Sequence, residues 1–62
     1  MINDEDLEVA DAQLSSLLSK CEAVLAGTSL SPSRQTLMTN RVSALRTALE
    51  LVHQAKAREV SQ

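Results

Sequence analysis

After Pro32 the chain meets no further proline and no glycine, so the stretch from Pro32 to about Val60 is compatible with one uninterrupted helix. Ser31 and Pro32 supply its start. A serine oxygen can accept from an orphan amide of the first turn, and a proline at the first helical position gives up a donor that had no partner. Within the stretch Met38, Val42, Leu45, Leu49 and Val52 recur at alternating spacings of four and three, the period of one helix face. Leu37, Ala44, Ala48, Leu51 and Ala55 make an adjoining row. One neighbouring helix covers roughly one such stripe, so the second row predicts that this helix touches more than one partner helix.

A first helix is predicted from about residue 4 to 26. Asn3 is a good N-cap, and Asp6 stands where a capping-box acid reaches back. Leu7, Ala10, Leu14, Leu17, Cys21 and Val24 then follow an unbroken alternation of three and four, with Leu18 and Leu25 widening the stripe on one side. Gly27 is expected to end this helix in the left-handed conformation that glycine adopts without steric cost. Residues 27–31 form the only candidate loop, and so short a connection predicts an antiparallel hairpin with a second helix over about 32–59. Leu30, just before the Ser31 cap, is placed to pack on the new helix like a hydrophobic staple. Glu59 to Gln62 are expected to fray. The seam predicted for the hairpin consists of Leu14, Leu17, Cys21, Val24, Met38, Val42, Leu45, Leu49 and Val52.

The fold class that follows is all-α: a two-helix hairpin in one domain spanning residues 1–62. The 62 residues include no Phe, Tyr or Trp, so the core must come from Leu, Val, Ile, Met and Ala. Burial in an isolated hairpin of this composition barely offsets the entropy lost on folding. Association, as a dimer or a heterocomplex that completes a coiled-coil-like four-helix bundle, would supply the missing burial. The expected partners are therefore another protein, a second copy, or both.

The formal charge of −2 gives no overall electrostatic case for nucleic acid or an anionic membrane. Its distribution is uneven. Residues up to Ala26 carry a net −5, and those from Arg34 onward a net +3. Negative charge at the start of the first helix and positive charge near the end of the second both suit the helix dipoles, and in an antiparallel hairpin those two ends meet. Arg34, Arg41 and Arg46 are the one set of cations that could lie along a face and meet a phosphate backbone.

Chemistry is not expected. Cys21 falls on the apolar face of the first helix without a histidine or a basic neighbour beyond Lys20, and reads as a structural cysteine. His53 lies at the edge of the apolar face with Glu50 one turn away, and one His with one Cys makes no convincing metal site. Asp4, Glu5, Asp6 and Glu8 lack the spaced ligands and central glycine of a calcium loop. No phosphate loop or nucleophile elbow occurs, and a hairpin encloses no pocket, so no enzymatic activity, cofactor or small-molecule substrate is expected. The acidic N-terminus lacks the apolar segment of a secretory signal, which makes a cytoplasmic location the default expectation.

From Leu14 to His53 the layout resembles the small E-type co-chaperones of type III secretion needle proteins. The residues that carry the resemblance are Cys21 and Glu22 in the first helix, Leu25, Ala26 and Gly27 at its end, and Pro32 opening the second. Ala44 and Leu45, followed by Ala48 and Leu49 and then Leu51 and Val52, complete it. The resemblance implies a hairpin that binds a helical-repeat chaperone, the pair keeping a needle subunit soluble. In size and architecture the chain also resembles Rop, whose hairpins dimerise into a four-helix bundle that binds paired RNA loops. The functional expectation is thus a protein-binding module of chaperone or adaptor type. A Rop-like RNA-binding bundle and a small phage or plasmid regulator are the alternatives. The expected partner-binding residues are Leu37, Arg41, Ala44, Ala48, Leu51 and Ala55.

Overall fold

The computed structural model describes residues 1–27 and 29–60, with only the backbone at 59 and 60. Thr28 of the expected loop, and Ser61 and Gln62 of the expected frayed end, lie outside the described residues. Two helices, α1 (Asp4–Gly27) and α2 (Pro32–Val60), pack against each other as a hairpin, and no strand occurs among the described residues. The hairpin measures 47 × 18 × 14 Å.

Both helix starts are built as the sequence implies. The Asp6 amide donates to Asn3 Oδ1 at 2.8 Å, and the Asn3 amide donates to Asp6 Oδ2 at 3.2 Å, a reciprocal capping box. At α2 the Arg34 amide donates to Ser31 Oγ at 3.3 Å, and the Gln35 amide donates to the Ser31 carbonyl at 2.8 Å. The end of α1 differs from expectation. The helix runs through Gly27, which has no positive φ, and nothing lies within 4 Å of where its Cβ would stand. No left-handed cap forms there, because the chain leaves the helix only after this residue.

The core is thin. Leu7, Val42 and Leu49 are buried, and none of the described side chains is completely enclosed. Around them Leu14, Leu18, Cys21 and Leu25 of α1, and Met38, Leu45 and Val52 of α2, are half-buried. This corrects the predicted seam at Leu17 and Val24, which remain 48 % and 36 % exposed. Leu18 instead borders Leu49, and Leu25 borders Val42. Two alternations share Leu7, Leu14 and Cys21, and one continues through Leu17 and Val24, the other through Asp11, Leu18 and Leu25. With the second facing α2, Leu18 and Leu25 are half-buried, and Asp11 and Glu22 come within reach of cations on α2.

Candidate functional site

On one side of the hairpin the two helices are bridged by charge. Arg46 Nη2 donates to Glu22 Oε2 at 2.6 Å. Nearer the open end, Lys56 Nζ donates to Asp11 Oδ2 at 3.0 Å and lies 3.3 Å from Glu8 Oε1. Asp11 is the hub of this group. It also accepts from Ser15 Oγ at 3.2 Å, and His53 Nε2 stands 3.3 Å from its Oδ2. Lys56, and after it His53, hold the Asp11 carboxyl below its usual range, while Asp11 and then Glu8 hold the Lys56 ammonium above its own. The acidic start of α1 and the basic end of α2 therefore do meet. His53, expected beside Glu50 in solvent, turns toward Asp11, across a helix pairing that local spacing does not reveal.

The opposite side carries no ion pair between the helices among the described residues. Leu17 and Val24 of α1 share it with the row Leu37, Ala44, Ala48, Leu51 and Ala55 of α2. Val24, Leu30, Leu37 and Met38 line a hollow there together with Arg34 and Arg41. Leu30 is half-buried and lines the loop end of this hollow with Leu37 and Met38, whereas Gln35, the fourth helical position with which a staple would be made, is not among the lining residues. Among the expected partner-binding residues, Ala48 and Ala55 are half-buried at the border of the hairpin contact. Arg41 and Ala44 are exposed, and Leu37 and Leu51 keep 48 % and 59 % of their surface.

Side-chain placement on a helix explains why these residues gather. Residues three, four and seven apart share a face, which sets Ala10, Leu17 and Val24 in one file and Leu37, Ala44, Ala48, Leu51 and Ala55 in another. Antiparallel pairing then places the two files on the same side of the hairpin, and the ion pairs occupy the other side. The three arginines divide as well. Arg34 and Arg41 border the apolar hollow, and Arg46 lies across the hairpin on Glu22, so they do not form a single row. Arg41 contacts Met38 Sδ at 4.0 Å, and among the described residues no carboxylate pairs with it or with Arg34.

Cys21 is half-buried along the helix contact. Among the described residues no three of His, Cys, Asp and Glu are grouped to hold a metal ion, and no helix is long and apolar enough to cross a membrane. Fold and geometry together define a class: a two-helix hairpin stitched by ion pairs on one side and left apolar on the other. No family model matches the chain, and neither a curated protein nor a solved structure matches it.

Proposed function

We propose that this chain is a non-enzymatic protein-association module, a small hairpin of chaperone or adaptor type that acts by presenting its apolar side to another protein. One observation carries the reading: Leu17, Val24, Leu37 and Leu51, large apolar side chains of both helices, stay exposed on the side that ion pairs leave free. Isolated exposed leucines are ordinary on a protein surface, but a file of them along two adjacent helices is the form a helix-binding surface takes. The alanines at 44 and 48 allow close approach, since they let a partner backbone come near without displacing a long side chain. The likeness to needle-protein co-chaperones agrees with this mode of action, and the cytoplasm is the compartment proposed for it.

The test is recovery of the complex from cells with tagged wild-type chain, Ala48→Arg and Leu37→Lys, followed by identification of the bound proteins. Ala48→Arg adds a long charged side chain at the border of the hairpin contact, and Leu37→Lys adds a charge while giving up the part of Leu37 that lies in the loop-end hollow, so the bound proteins should be lost in both, with far-UV circular dichroism checking that helicity is retained. An unchanged set of bound proteins would sink the reading. So would a structured RNA bound with steep salt dependence that disappears when Arg34, Arg41 and Arg46 are changed to glutamine together.

A further inference from the structure

We infer that the loop-end hollow on the apolar side binds an acidic amphipathic helix of a partner protein, with one large apolar side chain in the hollow and a carboxylate on each of Arg34 and Arg41. This rests on the reading of that side as an association surface, and it names the chemistry of what is bound there.

The first argument is unmatched charge. Between Leu17 and Leu49 the chain has a single carboxylate, Glu22, against Lys20, Arg34, Arg41 and Arg46. Glu22 lies on the opposite side of the hairpin and is taken by Arg46 at 2.6 Å. At the open end Lys56 meets two carboxylates, Asp11 and Glu8. Arg34 and Arg41 are exposed beside the hollow, and among the described residues no carboxylate pairs with either. Each guanidinium can hold a carboxylate through two parallel hydrogen bonds, so the rim of the hollow is complementary to acids from outside the chain.

The second argument is shape. Val24, Leu30, Leu37 and Met38 give the hollow apolar walls around about 330 Å³. That is the low end of the ~300–1,000 Å³ of small-ligand clefts, room for one large side chain and not for a helix face. Arg34 and Arg41 stand two turns apart on one face of α2, about 10 Å along its axis, with Leu37 and Met38 between them. A helix laid along α2 answers that pattern with two acids seven residues apart and a leucine or aromatic three or four residues from each. This chain contains the spacing once, at Asp4, Leu7 and Asp11. Leu7 is buried, however, and Asp11 is held by Lys56, so a second copy offers it only by giving up its own helix contact. An extended polyanion fits worse. Phosphates bring no apolar group to the hollow, and the open half of the hairpin, residues 1–16 and 50–60, sets seven carboxylates against Lys56 and Arg58.

Fluorescence anisotropy and methyl chemical shifts on the full chain test this. The probe is a synthetic helical peptide with Glu, Trp and Glu at relative positions one, four and eight. It should bind with an affinity that falls as salt is added, and its ring should shift the methyls of Leu30, Leu37 and Met38 and leave those of Leu18, on the other side, in place. Arg34→Gln combined with Arg41→Gln should weaken binding at least about tenfold at low salt and flatten its salt dependence, whereas Arg46→Gln should do neither. Peptides with Ala in place of Trp, or Lys in place of both Glu, should each bind at least about tenfold more weakly than the parent. Equal binding of the Ala peptide would mean attraction of any polyanion, equal binding of the Lys peptide would mean apolar contact alone, and either overturns the inference. So does a structured RNA that displaces the peptide and depends on the same two arginines. Absence of binding up to millimolar peptide overturns it as well. In that last case the association reading is decided separately, by whether Ala48→Arg and Leu37→Lys still release bound proteins in cells.

Discussion

Truncating Leu49 and Leu17 to alanine should have very different costs, although both belong to regular leucine files. Leu49 keeps only 8 % of its surface, so Leu49→Ala withdraws nearly the whole burial of one side chain and leaves space at the helix contact. Such changes cost about 2–5 kcal/mol, and the low half of that range applies because the site borders an open hollow into which Leu18 can relax. Leu17 is 48 % exposed, so within one hairpin Leu17→Ala forfeits about half of a leucine's burial, on the order of 1 kcal/mol. For a domain this small each kcal/mol moves the melting temperature by about 4–8 °C, which makes the expected shifts about 8–28 °C for Leu49→Ala, from about 2–3.5 kcal/mol, and under about 8 °C for Leu17→Ala. Far-UV circular dichroism melts at a concentration low enough for monomers measure both. Repeated where the apolar side is covered, the cost of Leu17→Ala should grow, and that of Leu49→Ala should change little. Equal costs at high dilution, or a larger one for Leu17→Ala, would show that α1 turns its other file toward α2 and would refute the packing argument.

Gly27→Ala should stabilise the hairpin by about 0.4–1 kcal/mol, since the residue is helical with open space at its Cβ; a loss of stability in chemical denaturation would reinstate the left-handed cap. Asn3→Ala should cost about 1 kcal/mol in the same assay by removing the acceptor of the Asp6 amide, and no loss would mean that water caps α1 equally well. Stability should also show a plateau in pH. Asp11 has a lowered folded pKa, so its contribution is complete above about pH 4 and is lost as the pH falls through the lowered value. Lys56 has a raised one, so its contribution is complete below about pH 10 and is lost as the pH rises through the raised value. Asp11→Asn should weaken both limbs in melts taken across that range, and an unchanged profile would show that the Asp11 and Lys56 pair does not couple folding to protonation.

Much of this fold was legible from local chemistry. Ser31 and Pro32 open α2, Asn3 and Asp6 cap α1, and the spacing of apolar residues identifies two helices, because these signals act over one or two turns of chain. The short connection made the pair antiparallel, and hence brought the acidic start of α1 to Lys56. Even the double-width apolar row of α2 was visible, with Leu37, Ala44 and Leu51 beside Val42 and Leu49.

The rotation of α1 about its own axis was not legible. Leu7, Leu14 and Cys21 belong equally to a file through Leu17 and Val24 and to one through Asp11, Leu18 and Leu25, and hydrophobicity alone favours the file without the aspartate. Tertiary structure takes the other, with Leu18 and Leu25 half-buried and Asp11 and Glu22 meeting Lys56, His53 and Arg46 of a second helix more than twenty residues away in sequence. That one rotation also decides the candidate site. It turns Leu17 and Val24 outward on the same side as Leu37 and Leu51, while the face that α2 turns to α1 sets Arg46 on the other side from Arg34 and Arg41. Periodicity assigns residues to a helix, but which face lies inward depends on the charges and side chains that the neighbouring helix brings to it.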